Sequence, residues 1–273
     1  MLVIDGDSLA HRAYHALPKS IRGIGGRPAN ALVGFGNFLL RLWEAERPVS
    51  VLVGWDTLDT PTYRNDALPE YQSGRVFEDA IVEQLAALPG LVESFGFVAA
   101  KAPGYEADDF LAAAAHRWQG PVVVTTSDRD AFQLVSDRVT VLQPVKGVSE
   151  LARIGPDGVR ERYGIEPAQV PDFIALRGDS SDRIPGAPGV GPKTAANLLV
   201  QYGSLEAILA AGRFESIADA LRLYRQIATM DAAAPLPEFR VAPPDWPRAE
   251  AAARELGLGG LGRRIAEHGS AST

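Results

Sequence analysis

Three short apolar runs along the chain alternate with longer segments in which apolar residues recur every three or four positions. The runs are rich in β-branched residues, which is typical of buried strands in a parallel sheet. They read LVID (2–5), VSVLVGWD (49–56) and PVVVTTSD (121–128). The periodic segments predict amphipathic helices through residues 32–42, 81–92 and 110–118. Alternating strands and helices predict a doubly wound α/β fold, in which ligands bind beyond the carboxyl ends of the strands.

Beyond about residue 165 this strand pattern gives way to short helical runs separated by Gly and Pro. We therefore predict an α/β core over residues 1–165 and a helical region over residues 166–273. Within the helical region, residues 234–247 are predicted to form an extended connection and HGSAST (268–273) to form a frayed tail.

The composition narrows the possible chemistry. The chain has 273 residues, of which 46% are hydrophobic, and no apolar run approaches the roughly 18 residues that a membrane span needs. It opens with MLVIDGDS, which does not resemble a signal peptide, so we expect a cytoplasmic protein that does not bind a membrane. Cysteine is absent, which leaves carboxylates as the expected ligands of any bound ion. The net charge of −7 argues against a nucleic-acid partner unless the acids are concentrated at a cation site.

Each of the three predicted strands ends in an aspartate, and parallel strands bring such residues to one edge of the sheet. A single acid there is often only a helix cap, and GYEADD (104–109) taken alone would fit that explanation. Capping does not account for the whole set, however. The acids predicted at this edge are Asp5, Asp56, Glu106, Asp108, Asp109, Asp128 and Asp130, with Asp179 and Asp182 at the start of the helical region.

Burying so many carboxylates without partners would cost several kcal/mol per ion, which exceeds what a stability of about 5–15 kcal/mol can absorb. Cations are therefore the expected partners. Carboxylate oxygens favour hard ions, so the acids predict bound Mg²⁺ or Mn²⁺. Two such ions about 3.5–4 Å apart suit in-line displacement at phosphorus, so the sequence predicts phosphodiester hydrolysis.

A glycine-rich turn in IPGAPGVGPKTAANLL (184–199) resembles a phosphate loop at first sight. Pro192 separates Gly191 from Lys193, so the P-loop pattern fails and an ATPase is rejected. Pro192 suits the first turn of the helix that follows. Free amides beside Lys193 would make an anion site at that helix N-terminus, whereas a plain tight turn with a surface lysine explains the residues equally well.

The motifs LVIDGDSLAHRAYHALP, GYEADD, TTSDRDAFQLV and GDSSDRIPGAPGVGPKTA, in this order, resemble those of the bacterial flap endonucleases, including the 5′-nuclease domain joined to DNA polymerase I. The resemblance fades after about residue 230. It implies a PIN-like (Rossmann-type) parallel sheet flanked by helices, a helical arch at about residues 60–95 and a helix-three-turn-helix at about residues 171–203. It also implies 5′-3′ exonuclease and flap endonuclease activity by a two-metal-ion mechanism, in primer removal and DNA repair.

The same resemblance implies roles for particular residues. The first metal site is similar to Asp5, Asp56, Glu106 and Asp108, and the second to Asp109, Asp128, Asp130, Asp179 and Asp182. The implied DNA contacts are Arg12, Lys19, Arg22, Arg64, Tyr71, Arg75, Gly189, Gly191 and Lys193. The hairpin is also the place where the family commonly holds a K⁺ ion.

Two positions depart from the family pattern. Gln72 follows Tyr71 where the family usually carries a lysine, and Arg64 or Arg75 could supply the missing charge. Asp7 stands where Ser or Asn is common in the family. Its carboxylate could be an outer-shell metal ligand or only a helix cap.

The resemblance implies branched or flapped DNA as the substrate, admits an RNA–DNA hybrid, and leads us to expect a monomer associated with the nucleoid. Because the chain ends where the family's polymerase fusion begins, we expect a stand-alone nuclease. Two other functions stay open. They are a ribonuclease of the related PIN type, and a junction-binding protein without catalysis, which Gln72 makes conceivable.

Overall fold

A six-stranded sheet forms the centre of the structure, a computed structural model that describes residues 1–58, 60–74, 76–146 and 150–271. The strands are β1 (Leu2–Asp5), β2 (Val51–Gly54), β3 (Val98–Ala100), β4 (Val122–Thr125), β5 (Val139–Lys146) and β6 (Glu150–Ile154). Their order in the sheet is β3-β2-β1-β4-β5-β6. Neighbours from β3 to β5 are parallel, and β6 is antiparallel to β5. The predicted fold class is confirmed, although the sheet is mostly rather than wholly parallel.

Helices cover both faces of this sheet. They are α1 (Gly6–Ala16), α2 (Asn30–Glu46), α3 (Tyr63–Ala67), α4 (Asp79–Ser94), α5 (Ala107–Arg117), α6 (Pro156–Tyr163), α7 (Val170–Arg177), α8 (Pro192–Tyr202), α9 (Leu205–Ala210), α10 (Ala218–Ala228), α11 (Trp246–Glu255) and α12 (Gly259–Ala271). Short 3₁₀ turns lie at Ile24–Gly26, Asp130–Leu134, Pro167–Gln169 and Glu215–Ile217. In the described ranges no helix combines the length and apolar character that crossing a membrane requires.

The central strand β1 is buried on both faces, which explains its continuous apolar run. Leu2 and Ile4 pack into one cluster of core residues, to which α1, α2, α4, α11 and α12 contribute. Val3 points into a second cluster, to which α5, α7, α8 and α10 contribute. The chain thus leaves the sheet after β6, builds α7 to α10 beside one face, and returns with α11 and α12 to the other.

The last helix corrects the prediction of a frayed tail at residues 268–273. α12 continues to Ala271 because it packs against α11 and α2, with Leu261 and Ile265 fully buried. Gly269 lets the helix pass close to Trp246, since an added Cβ would lie 2.9 Å from that side chain. The small and polar residues of the tail gave no apolar periodicity from which this packing could be predicted. Residues 272–273 lie outside the described ranges.

The turn after α7 is held by a backbone crossing. Asp179 and Ile184 exchange two backbone hydrogen bonds of 2.8 Å each, which close the loop between them. Gly178 and Gly186 lie where this loop crosses itself, both with a positive φ. A Cβ on Gly186 would lie 2.4 Å from the Gly178 nitrogen, so that position requires glycine. The crossing fixes the loop that carries Asp179 and Asp182 toward the edge of the sheet.

The crossing predicts unequal costs for two glycine substitutions. Gly189 also has a positive φ, but a Cβ there would meet nothing within 4 Å. We expect Gly189→Ala to lower the free energy of unfolding by about 1–2 kcal/mol, the cost of the left-handed backbone alone. Gly186→Ala must also displace backbone and should cost more, on the order of 3 kcal/mol. Urea denaturation of the two variants tests this, and equal costs would contradict the proposed close approach.

Candidate metal centre

A cavity of about 700 Å³ opens at the carboxyl ends of β1, β2 and β4, where the sequence predicted the acids to meet. Eight of the nine predicted acids line it: Asp5, Asp56, Glu106, Asp108, Asp128, Asp130, Asp179 and Asp182. Asp7, whose role the sequence left open, lines it as well. The loop after α7 therefore brings the two distant aspartates to the edge of the sheet.

Near β1 and β2, the aspartates that line the cavity also accept hydrogen bonds from the backbone at the start of neighbouring helices and loops. Asp5 caps α1, since its Oδ1 accepts a 2.9 Å hydrogen bond from the Ser8 amide while its Oδ2 accepts one of 2.6 Å from the Thr126 hydroxyl. Asp56 accepts a 2.7 Å hydrogen bond from the Ala107 amide at the start of α5. Asp7 accepts one of 2.7 Å from the Asp56 amide. These bonds fix the carboxylates in place without balancing their charge.

The remaining acids are oriented by short local hydrogen bonds. Asp128 accepts a 2.8 Å bond from the Asp130 amide, so the two carboxylates of SDRD are set in one tight turn. Asp179 accepts hydrogen bonds of 2.9 Å from the Ser181 amide and from the Arg177 side chain. Although burial alone would raise it, these bonds bring the pKa of Asp179 below its ordinary value.

Burial and mutual repulsion raise the pKa of five other acids. Burial is the main cause for Asp5, whose pKa rises to about 7 against the opposing bonds from Thr126 and Ser8. The pKa of Glu106 also rises to about 7, through burial that the Arg64 charge only partly offsets. The pKa values of Asp7, Asp108 and Asp130 lie well above the ordinary value for aspartate, through burial and repulsion by neighbouring carboxylates. The cavity is therefore short of positive charge.

The donor set fits a hard divalent cation. Nine carboxylates line the cavity together with only two arginines, Arg129 and Arg177, among its described lining residues. In the described ranges no group of three or more acids or histidines is arranged to hold an ion as it stands. Several of these carboxylates accept hydrogen bonds from amides and hydroxyls, and each keeps further lone pairs for an ion.

Among the nine predicted ligands, Asp109 is the one that the structure does not place at the cavity. It is fully buried, does not line the cavity, and forms a two-bond ion pair with Arg64 at 2.7 and 2.9 Å. It also accepts bonds from the amides of Glu106 and Asp231 and from the Tyr63 hydroxyl. Because successive residues of a helix point about 100° apart, Asp108 faces the cavity while Asp109 faces the protein interior.

The structure places two of the predicted DNA contacts, Arg64 and Tyr71, in the protein interior. Arg64 is 2% exposed, and besides Asp109 its Nε donates a 3.0 Å bond to the Ile227 carbonyl. Tyr71 is 4% exposed, and its hydroxyl donates a 3.1 Å bond to Glu106. Gln72 donates bonds to the Tyr71 hydroxyl at 2.8 Å and to Asp182 at 3.0 Å. This segment thus orients acids of the cavity.

The other predicted DNA contacts lie at the surface or outside the described residues. Arg12 is half-buried on α1, Arg22 is exposed, and Lys19 is exposed but paired with Glu78 at 2.7 Å. Gly189, Gly191 and Lys193 form the exposed tip between α7 and α8, with Pro192 in the first turn of α8. Arg75 lies outside the described ranges.

The cavity-lining residues that the sequence reasoning missed include Arg129, Tyr163, Phe173 and Arg177. Two of them carried a signal in the motifs themselves. Arg129 lies between Asp128 and Asp130, and Arg177 directly precedes GDSSD. Tyr163 is the last residue of α6 and Phe173 lies within α7, and the sequence pattern did not reveal how these short helices pack.

Family models and relatives agree on one kind of protein. Residues 1–164 match the model of the 5′-3′ exonuclease N-terminal resolvase-like domain, and residues 165–246 match that of the 5′-3′ exonuclease C-terminal SAM fold. A 5′-3′ exonuclease of Streptomyces coelicolor is 35% identical over 295 residues, which cover 97% of this chain and 98% of the relative.

Larger relatives and a solved structure are also similar. DNA polymerase I of Mycobacterium bovis is 44% identical over 214 residues, covering 77% of this chain and 24% of that protein, so the chain spans about a quarter of the length of this relative. The T5 D15 protein, crystallised with metal ions, superposes with a TM-score of 0.68 at 19% identity, covering 97% of this chain and 98% of that one. At that identity the superposition shows a shared fold.

The raised pKa values predict that removing one carboxylate stabilises the metal-free protein. Because the pKa of Asp108 is raised on folding, the stability tied to its proton is present below pH 4 or so and is lost as the pH rises through the raised value. We expect Asp108→Asn to raise the Tm of the chelator-treated protein by several degrees at pH 8 and by little at pH 4.5. About 2–4 °C corresponds to 1 kcal/mol for a chain of this size.

Asp137→Asn is the matched control, since Asp137 is exposed and does not line the cavity. It should leave Tm unchanged at both pH values. Added Mn²⁺ should raise the Tm of the wild type more than that of Asp108→Asn. An Asp108→Asn protein that is less stable than wild type at pH 8 without metal would contradict the electrostatic account.

Proposed function

The chain belongs to the 5′-3′ exonuclease family, and from that premise we propose that it is a structure-specific 5′ nuclease, with 5′-3′ exonuclease and flap endonuclease activity in primer removal and repair. The observation that carries the proposal is the cavity that brings eight of the nine predicted acids together beside an exposed glycine hairpin. The substrate is branched DNA, cut near the junction between a 5′ single strand and duplex. The names of two relatives, 5′-3′ exonuclease and DNA polymerase I, support this proposal.

The hairpin supplies the duplex-binding surface of this proposal. Its exposed glycines leave room for a phosphate backbone to approach, and Lys193 lies in the first turn of α8, where a helix leaves its amides without intrahelical partners. Such contacts read the shape of a duplex and not its sequence. The loop held by the Asp179–Ile184 crossing joins this surface to the cavity, so a bound duplex lies at a fixed distance from the acids. That fixed distance accounts for cutting near a junction.

The acids hold Mg²⁺ or Mn²⁺ in this proposal, and the residues that would bind are the eight predicted acids of the cavity. When bound, such ions lower the pKa of water and neutralise charge on a phosphodiester, which is the chemistry of two-metal nucleases. Asp5, Asp56 and Glu106 are preset for this role, since amides and hydroxyls already fix their orientation. A K⁺ ion at the hairpin is part of the same proposal.

The single strand would pass the half-buried Arg12 and the exposed Lys19 and Arg22 at the surface beside α1. An RNA–DNA hybrid is a second substrate in this proposal, since backbone contacts do not require deoxyribose. We further propose that the chain acts as a monomer in the cytoplasm, associated with the nucleoid.

Two substitutions should separate chemistry from binding. Asp128→Ala removes an acid of the cavity, and we expect it to lower Mg²⁺-dependent cleavage of a 5′-labelled flap duplex by at least 10³-fold while the Kd for the duplex changes little (order of magnitude). Lys193→Ala removes a positive charge from the hairpin. We expect about 3- to 10-fold weaker duplex binding and a nearly unchanged cleavage rate at saturating DNA. The slope of log affinity against log salt concentration should fall by the amount that one phosphate contact contributes.

The same assay decides between functions. Chelator should abolish cleavage, and product lengths should map to the junction. Cleavage of single-stranded RNA that Lys193→Ala does not alter would indicate a PIN-type ribonuclease instead. Tight, metal-independent binding of flap DNA without product would indicate a junction-binding protein.

A further inference from the structure

Two arginines line the acidic cavity, and the proposed function leaves both unused. They belong to one continuous patch of its lining, which we call the arginine wall: Arg129, Tyr163, Phe173 and Arg177. The Tyr163 and Phe173 rings lie 5.3 Å apart, and the Arg177 guanidinium lies 5.4 Å from the centre of the Phe173 ring. Burial raises the pKa of Tyr163, and the charges of Arg129 and Arg177 oppose that rise.

Arg177 has hydrogen-bonding capacity to spare. In the described part of the chain its side chain donates one hydrogen bond, from Nη2 to Asp179, although a guanidinium carries five N–H donors. Its Nε is buried without a hydrogen-bond partner in those same ranges. A buried charged donor without an acceptor is costly, so such groups usually serve a ligand or a function. An anionic oxygen in the cavity would satisfy it.

Among the described residues of the segment 60–74, on the opposite side of the cavity, no side chain offers a positive charge for this task. Residues 60–74 contain one basic residue, Arg64, and Asp109 and the Ile227 carbonyl engage it in the interior. Gln72, where the family usually has a lysine, is neutral and donates to Tyr71 and Asp182. Within the described lining of the cavity, the charges that could meet a phosphate are those of the arginine wall.

The position of Arg177 suggests which phosphate it meets. It is the last residue of α7, and the loop that follows leads directly to the exposed hairpin. A duplex strand held at the hairpin would therefore run past the end of α7 before it reaches the acids. Guanidinium groups suit this position because their fork of donors matches the geometry of phosphate oxygens.

We propose that the arginine wall is a phosphate-binding subsite that positions the duplex strand next to the bond that is cut, with Arg177 as its main contact. This inference rests on the proposed function and names the residues that take over the task of the absent lysine. The competing explanation is that the two arginines only offset the charge of nearby acids such as Asp130 and Asp179. In that case their loss would change stability but no individual DNA phosphate would be affected.

Single neutral phosphates can distinguish these explanations. Flap duplexes would carry one methylphosphonate at each linkage near the junction in turn, and their Kd would be measured by anisotropy in chelator, so that no cleavage occurs. We expect the wild-type protein to bind about 5- to 10-fold more weakly when the methylphosphonate stands at one particular linkage, because one phosphate contact is then lost. Arg177→Gln should bind unmodified DNA as weakly as the wild type binds DNA with the methylphosphonate at that linkage. Placing the methylphosphonate there should not weaken binding by Arg177→Gln any further.

The controls separate the subsite from general effects. Arg160→Gln removes an exposed arginine outside the cavity, paired with Asp157 and Glu166, and should behave as wild type. Arg177→Lys should retain the salt dependence of wild type, whereas Arg177→Gln should lower its slope by about 0.9. Thermal melting verifies that the variants are folded, and single-turnover cleavage in Mg²⁺ should show the weaker binding of Arg177→Gln as a raised half-saturating DNA concentration.

The inference would be overturned if Arg177→Gln still showed the full methylphosphonate penalty at the linkage that is sensitive in the wild type, and also if its salt slope were unchanged. In either case cleavage at the junction by the wild type would leave the proposed function intact. A wild-type chain that neither binds nor cuts flap DNA would overturn the proposed function, and this inference with it.

Discussion

Mutual repulsion among carboxylates at one edge of the sheet is the constraint on which the rest of the structure depends. Nine of them share a cavity of about 700 Å³ with two arginines. The metal-free protein tolerates this in two ways. Amides and hydroxyls hold several carboxylates in place, and burial raises the pKa of acids such as Asp5 and Glu106 to about 7, so that they can keep a proton. A bound divalent cation would replace those protons, which couples metal binding to folding stability.

One acid of the cluster is neutralised by the protein itself. The ion pair between Asp109 and Arg64 is buried, and its hydrogen bonds join the start of α5 to α3, to the end of α10 and to the segment after it. Removing one partner of such a pair leaves a buried charge, which typically costs 3–5 kcal/mol. We interpret this pair as the internal support that holds Glu106 and Asp108 at the cavity while the hairpin region packs beside them.

The sequence predicted the strands that carry the site and most of the site itself, because both depend on local patterns. β1, β2 and β4 are buried on both faces, so their apolar runs are continuous, and each is followed closely by an aspartate. β3 has three residues and β6 has exposed positions, so neither produced a recognisable run. The sequence could not show that Asp109 pairs with Arg64 in the interior, because sequence order does not tell which of two adjacent helical acids faces inward. Arg177 was not singled out although it directly precedes GDSSD, because only the fold shows that it lines the cavity beside Phe173.

Proton release on metal binding tests the central claim most directly. Mn²⁺ would be titrated into the metal-free protein by calorimetry in buffers of different ionisation enthalpy, at pH 6.5 and pH 8.5. If cations replace protons held by the buried acids, the measured heat depends on the buffer, and more protons are released at pH 6.5. Binding heat that is independent of the buffer at both pH values, or no binding at all, would contradict the account.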